Sequence, residues 1–316
     1  MEQRLNVALV SQRTAQWRAL LAQQTELPIQ VIFDDEDDFL NKAQQCTVLW
    51  GDTPEGAKWL PQLPNIEWYH TFFSGVDALL PLRAQLPKNL LVTNSRDIAG
   101  PHIAEYVLGQ VLNLTRQIGH YQQLQEQKAW QWMDYRTIEE DAALVLGTGA
   151  IGQIVAQRLA PWTKRVDGVS RSGRPLAAFD SVHQWEQAHP ILAQYRIVIN
   201  TLPYTPDTDG LLDDAFFNGL ANDAIFINVG RGATVQDDAL LAALDAQPER
   251  RAVLDVFRQE PLPVEHPYWQ HAQVVVTPHV AAQSQPQWVL PIVLDNLQRY
   301  LDGAALRNIV NMELGY

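Results

Sequence analysis

The stretch that most constrains this chain is residues 142–152, Ala-Ala-Leu-Val-Leu-Gly-Thr-Gly-Ala-Ile-Gly. An apolar run of strand length ends in glycines. Ile151, Val155 and Leu159 then mark one face of a helix that Pro161 stops. A buried strand breaking into a helix through Gly147, Gly149 and Gly152 is a dinucleotide-binding pattern. The first glycine permits the tight turn, the second lets a pyrophosphate approach the backbone, and the third lets the helix sit close to its strand. The helix N-terminus adds free N–H groups and a positive dipole for the phosphates. Glycine triplets also arise in ordinary turns, so the context matters, and residues 166–170 supply the second strand-like run that the pattern requires.

A chain of 316 residues with 47% hydrophobic content can bury a substantial core and, on length, suggests two domains. Its 23 basic and 36 acidic residues leave a net charge of -13, which should repel nucleic acid and anionic membranes and points to small-molecule partners. Acidity can equally serve solubility alone. No apolar stretch approaches the ~20 residues of a membrane span, and residues 1–13 lack a secretory pattern. Cys46 is the only cysteine, which rules out an internal disulfide and fits a reducing cytoplasm.

Taken in order, residues 5–10, 30–33, 46–50, 66–73 and 90–93 read as strands, with a helix around 17–21. Strands alternating with helices suggest a parallel sheet. Gly100-Pro101 announces a long helix with proline in its first turn, and Ile103, Val107, Val111, Leu114 and Ile118 line one face of it. An aromatic, polar segment follows, with Tyr121, Trp130, Trp132 and Tyr135. It suits a subunit interface, a substrate cover or packing within the chain. Residues 142–146, 166–170, 197–200, 224–229, 252–256 and 274–277 give a further set of strands of the number expected for a Rossmann sheet. Residues 237–244 form the clearest helix among them, and Val289, Val293, Leu297 and Tyr300 describe a last helix from Pro286.

In an open α/β sheet ligands bind beyond the carboxyl ends of the strands. Three polar residues stand there: Arg231 in Asn-Val-Gly-Arg-Gly, Glu260 just past Asp255-Val-Phe, and His279 in Thr-Pro-His. A cation, a carboxylate and an imidazole at successive strand exits can hold and protonate an anionic carbonyl compound. Singly, each has a structural alternative: a helix cap, a solvated loop residue, a hydrogen-bonded loop histidine.

With these residues in place, the sequence resembles the D-isomer-specific 2-hydroxyacid dehydrogenases over nearly its whole length. The resemblance is carried by Gly147-Thr-Gly-Ala-Ile-Gly152, Leu202-Pro-Tyr-Thr-Pro206, Asn228-Val-Gly-Arg-Gly232, Asp255-Val-Phe-Arg-Gln-Glu-Pro-Leu262 and Thr277-Pro-His-Val-Ala281. Within the family it looks most like the bacterial glyoxylate/hydroxypyruvate reductase A branch, judged by Val169-Ser-Arg-Ser172, the tryptophan-rich segment and the Gly-Tyr terminus. The resemblance implies an α/β fold of two doubly wound parallel-sheet domains. A Rossmann cofactor domain (99–283) is inserted into a smaller flavodoxin-like substrate domain (1–98 and 284–316).

It also implies roles. Arg231 matches the arginine that binds the substrate carboxylate and carbonyl, Glu260 the acid paired with histidine, and His279 the acid/base. The backbone N–H groups of Gly75 and Val76 match a carboxylate-binding loop. Asp255 matches the residue that bonds the nicotinamide amide, and Leu202 and Pro203 the loop on the adenosine side. Ala150, Ile151, Val229 and Gly230 complete the cofactor lining with the glycine loop, Arg231 and His279. In the resembling reductases the aromatic segment belongs to a two-fold dimer, which implies a homodimer with Trp130 or Trp132 near the substrate of the other subunit.

NAD sites place an acid at the end of the second strand to bond the ribose. The family's register puts Ser170 there. Asp167 lies nearer the generic distance from the first glycine but falls inside the strand. With Arg171 and Ser172 beside it, Ser170 favours NADP(H), with NAD(H) possible. The expected activity is reduction of a 2-oxo acid by NADPH, with protonated His279 giving its proton to the forming alkoxide in a cleft between domains. Glu260 should favour the charged imidazole. The alternatives are a D-2-hydroxyacid dehydrogenase of another 2-oxo acid using NADH, and a non-catalytic nucleotide-sensing scaffold. No tyrosine has lysine four residues on, as a short-chain-type dehydrogenase would need, and no His-Glu-x-x-His or cysteine cluster suggests a metal.

Overall fold

The computed structural model describes residues 4–313, apart from the side chain of Asp97, so the Gly315-Tyr316 terminus lies outside the described residues. The strands form two sheets in which every pairing is parallel. The chain divides into two compact units, residues 1–99 with 284–316, and residues 100–283. Among the described residues no helix is long and apolar enough to cross a membrane.

In the first unit β1 (Leu5–Val10), β2 (Ile29–Phe33), β3 (Val48–Gly51), β4 (Trp68–Thr71) and β5 (Leu91–Asn94) run in the order β2-β1-β3-β4-β5. This is the flavodoxin-like order, with its reversal between β1 and β3. Successive side chains of a strand face opposite ways. Ala8 and Val10 therefore join one buried layer with Leu49, Tyr69 and Val92, while Val7 and Leu9 join the other with Trp50 and Trp68. The second layer is closed by the helix Pro286–Leu301, whose Val289, Val293 and Leu297 are buried. Tyr300 of that helix stacks on Trp68 at 5.3 Å and donates to Glu67 Oε2 at 3.1 Å.

In the second unit β6 (Ala142–Leu146), β7 (Arg165–Ser170), β8 (Val182–Gln184), β9 (Ile197–Asn200), β10 (Ile225–Asn228), β11 (Arg251–Leu254) and β12 (Val274–Val276) run in the order β12-β11-β10-β9-β6-β7-β8. The order reverses between β6 and β9, which is where an open sheet leaves a crevice for ligand. β6 and β9 are buried along their whole length, as central strands covered on both faces require. A cluster led by Phe216, Phe217, Phe226 and Tyr195 fills one face.

Three expectations need correction. The edge strand β8 was not foreseen: Val-His-Gln offers three residues and one strong strand former, too little for a periodic signal. The long helix begins at Arg96, so Pro101 stands in its second turn and its missing N–H removes an interior hydrogen bond. The chain turns directly out of β5, with Ile98 N–H donating to Ser95 O at 3.2 Å. That helix ends at Thr115. Gln117 takes φ +53°, and Ile118, expected on the buried face, starts the next helix exposed.

Candidate active site

The glycine loop follows β6 directly. Gly147 has φ +96°, a region that L side chains rarely adopt, and a Cβ there would also lie 2.8 Å from Thr201 Oγ1. Gly149 caps the helix Ala150–Leu159, and a Cβ on it would meet nothing within 4 Å. Gly152 is buried, with Gly147 O 2.0 Å from where its Cβ would be. Ala150 is exposed and Ile151 half-buried on the first turn. The loop is held from the next strand by Thr201, whose hydroxyl lies 2.9 Å from Leu146 O and 3.1 Å from Gly147 O.

Arg231, Glu260 and His279 all lie in the second unit, beyond the carboxyl ends of β10, β11 and β12. His279 Nδ1 and Glu260 Oε2 are 2.7 Å apart, and Phe257 N–H donates to Glu260 Oε1 at 2.9 Å. Burial raises the Glu260 carboxyl. The hydrogen bonds from His279 and Phe257 and the positive charges of His279 and Arg231 outweigh it, so the group sits below its ordinary value. Arg231 is half-buried, and its Nη1 donates to Gly230 O at 2.8 Å.

The loop that carries Arg231 is fixed from beneath. Asn200 and Asn228, buried at the ends of β9 and β10, bond each other at 3.0 Å. Asn228 Oδ1 accepts from Gly230 N, and Thr234 Oγ1 donates to Arg231 O at 2.7 Å. Gly232 allows this packing, because a Cβ there would fall 1.9 Å from the Phe257 carbonyl carbon. Val229 is buried, its N–H donating to Asn200 O at 3.1 Å, and Leu202 N–H donates to Asn200 Oδ1 at 3.1 Å. Leu202 packs on the sheet core while Pro203 is exposed. A half-buried cation, a carboxylate and an imidazole thus converge at one end of one sheet, an arrangement suited to binding an anion and transferring a proton.

Residues 108–281 match the family described as D-isomer specific 2-hydroxyacid dehydrogenase, NAD binding domain. The chain is 35% identical over 248 residues, covering 77% of it and 79% of the relative, to a glyoxylate/hydroxypyruvate reductase A of Serratia proteamaculans. A D-isomer specific 2-hydroxyacid dehydrogenase family protein from Aeromonas salmonicida superposes with a TM-score of 0.90 at 34% identity, covering 98% of this chain and 100% of that one. One from Xanthobacter autotrophicus, solved with NADPH and MES, gives 0.82 at 32% identity, covering 98% and 99%. The chain belongs to the D-isomer specific 2-hydroxyacid dehydrogenase family. It is an enzyme of the D-2-hydroxyacid dehydrogenase class.

In this dehydrogenase β7 ends at Ser170, and Asp167 lies within the strand, buried and accepting the Tyr195 hydroxyl at 2.5 Å. Asp167 is therefore spent on the protein. After Ser170 the chain makes a tight turn in which Gly173 N–H donates to Ser170 Oγ at 3.2 Å and Arg174 N–H to Ser172 Oγ at 3.3 Å. Each hydroxyl oxygen accepts from the backbone, so each keeps its proton to donate. Arg171 is exposed, with no acidic partner among the described residues.

Gly75 and Val76 lie in the first unit. Their loop is tied by its carbonyls: Asn94 Nδ2 donates to Ser74 O at 2.7 Å, Thr53 Oγ1 to Gly75 O at 2.8 Å, and Ser95 N–H to Phe73 O at 3.2 Å. Among the described residues nothing accepts from the Gly75 and Val76 amides.

The aromatic segment of the dehydrogenase begins as the helix Ile118–Glu126 and continues without regular structure over residues 129–137. It is pinned along its length. Gln117 donates to Asp134 O at 2.9 Å, Met133 N–H to Tyr121 Oη at 3.0 Å, Arg116 lies 4.1 Å over the Tyr135 ring, and Arg136 pairs with Asp141 at 2.7 Å. Trp130 is nonetheless 100% exposed and Trp132 80%. Packing within the chain does not explain these two residues, and the structure does not bring them to Arg231, Glu260 or His279.

The reading of the sequence missed Thr201, Asn200, Asn228 and Thr234. A signal existed for the asparagines: Ile197-Val-Ile-Asn and Ile225-Phe-Ile-Asn are paired apolar runs, each closed by the same buried amide.

Proposed function

We propose that the chain is an NADPH-preferring reductase of small 2-oxo acids of the glyoxylate/hydroxypyruvate type, forming the D-2-hydroxy acid with His279 as the acid. The observation that carries this reading is the 2.7 Å His279–Glu260 pair beside Arg231. The name of the Serratia relative supports the substrate class, and the NADPH complex of the Xanthobacter protein supports the cofactor. The residues present suit that cofactor. Open space at Gly149 lies at a helix N-terminus that favours phosphate, and β7 ends in a hydroxyl, with an arginine next in the chain, rather than in an acid.

Bound there, NADPH supplies the hydride for the keto carbon. Arg231 holds the carboxylate and polarises the carbonyl of the substrate. Leu202, Pro203, Val229 and Gly230 line the cofactor. Asp255, expected at the nicotinamide amide, is 1% exposed with both carboxylate oxygens bonded to residues 277–281, so it serves the protein instead. Glu260 occupies Nδ1 of His279, so Nε2 is the atom that delivers the proton to the forming alkoxide. Fixing these groups on strand exits supplies much of the rate, because orientation is set before the reaction begins.

The same reading makes the protein a homodimer, with Trp130 or Trp132 near the substrate of the other subunit. The exposure of both rings supports it. It also assigns the protein to the cytoplasm, where Cys46, buried with its thiol pushed up to about 11 by desolvation, stays reduced and unreactive. The test of the acid is His279→Ala. Loss of the only proposed proton donor should cut kcat by at least ~100-fold while cofactor binding, followed by nucleotide fluorescence, survives. Near-normal turnover in that variant defeats the assignment.

A further inference from the structure

Glu260 is only one of the groups that hold His279. The histidine has φ +53°, a left-handed backbone that sterics disfavour for a residue with a Cβ, so the turn from 277 to 281 has to be held from outside. Asp255, just beyond β11 and 1% exposed, provides the hold. Its backbone oxygen accepts His279 N–H at 2.8 Å. Its carboxylate accepts Val280 N–H at 2.8 Å and the Thr277 hydroxyl at 2.6 Å on Oδ1, and Ala281 N–H at 2.8 Å on Oδ2.

The Thr277 hydroxyl has a single proton, and it is committed to Asp255. The 2.6 Å contact between Thr277 Oγ1 and the Tyr106 hydroxyl is then one in which Tyr106 donates. Tyr106 stands on the helix Arg96–Thr115, outside every motif that the sequence offers for catalysis. Burial pushes its phenol up to about 12, so it remains a donor throughout the neutral range.

We propose that Tyr106 and Thr277 are positioning residues for the reaction: a directed chain, Tyr106 to Thr277 to Asp255, locks the turn that aims His279. The proposal rests on the reading of His279 as the acid. Glu260 fixes one ring nitrogen, but where the ring stands depends on the backbone of residue 279. That backbone is tied to Asp255 through three consecutive amides and one side-chain hydroxyl. Loosening the hydroxyl lets the turn relax toward ordinary φ values, which draws the imidazole off both Glu260 and the substrate carbonyl. Small misplacements of this kind cost rate out of proportion to their energy.

The experiment uses Tyr106→Phe, Thr277→Val and Thr277→Ser in the full-length protein. It compares kcat, the pH profile of kcat/KM for the 2-oxo acid, and Tm. Thr277→Val should lower kcat about 10-fold, the loss of one hydrogen bond to a charged group. It should also move the alkaline fall of the profile to lower pH, in the same direction as Glu260→Gln. Thr277→Ser should restore both to within about threefold, and Tyr106→Phe should give a smaller loss of about threefold, the size for a neutral hydrogen bond. A merely structural role lowers Tm while leaving kcat and the pH profile of the folded enzyme where they were, and that result overturns the proposal. Tyr106→Phe and Thr277→Ser keep the test decisive if Thr277→Val does not fold. His279→Ala separates the two levels: normal turnover there defeats the acid assignment itself. An inactive His279→Ala beside unaltered Tyr106→Phe and Thr277→Val defeats only the positioning chain.

Discussion

Glu260 is pulled two ways, by burial that favours its neutral form and by His279, the Phe257 amide and Arg231 that favour the anion. The second set wins, so the carboxyl titrates below the ordinary carboxylate range. Its pairing is fully present above that range and is lost only as the pH falls through the lowered value. Across the neutral range the group is therefore an anion, held 2.7 Å from Nδ1 of the proposed acid. Glu260→Gln should bring the alkaline fall of kcat/KM to lower pH, read from initial rates across a buffer series. An unmoved profile means that the two residues are uncoupled. That Arg231, Glu260 and His279 gather at one end of the sheet was legible because each is a polar residue in a loop beyond a strand's carboxyl end, where a structural explanation is weakest. Asn200 and Asn228 left only the matching Ile-x-Ile-Asn run ends as a trace, and Thr234, in the loop after β10, left none, because a polar residue there has the same composition as a turn. Only the pairing of β9 with β10 shows that the two asparagines bond each other.

The turn after β7 is the element on which the choice of cofactor depends. Its sequence carries two serines, two arginines and a glycine at φ +62°, and its backbone amides occupy the serine oxygens so that the hydroxyl protons remain to be given. A hydrogen bond to a charged group contributes about 1.5–3 kcal/mol, which corresponds to roughly a 10- to 100-fold preference for NADPH over NADH in kcat/KM. Ser170→Asp should shift the preference toward NADH by restoring a ribose acceptor and repelling the phosphate, and Arg171→Ala should weaken NADPH while sparing NADH. Equal or better kinetics with NADH in the unaltered protein refute this reading of residues 170–172. Of the elements, the long apolar strands were legible nearly to the residue, because parallel strands covered on both faces read as continuous apolar runs. The short edge strand β8 and the start of the helix at Arg96 were not. The first lacks length, and the second lies five residues before the proline, where the chain leaves β5.

At the scale of the molecule, the two parallel sheets were legible from alternating strands and helices, whereas the return of the last helix to the first sheet came only with the family resemblance. No periodicity says which sheet a helix will cover. Val289, Val293 and Leu297 are apolar whichever sheet they meet, and it is their contacts with Val7, Leu9 and Trp50 that decide it. Two tryptophans left in solvent on a segment otherwise pinned to its helix predict a homodimer, and sedimentation at micromolar concentration should give twice the mass of the chain. A monomer there counts against that assembly. The proposed reaction is tested by mixing the purified protein with NADPH or NADH and a panel of 2-oxo acids, following nicotinamide absorbance and the chirality of the product. Glyoxylate and hydroxypyruvate should be reduced, faster with NADPH, and hydroxypyruvate should yield the D enantiomer of its 2-hydroxy acid. Failure to oxidise either cofactor with any 2-oxo acid, or formation of the L enantiomer, would contradict that reaction.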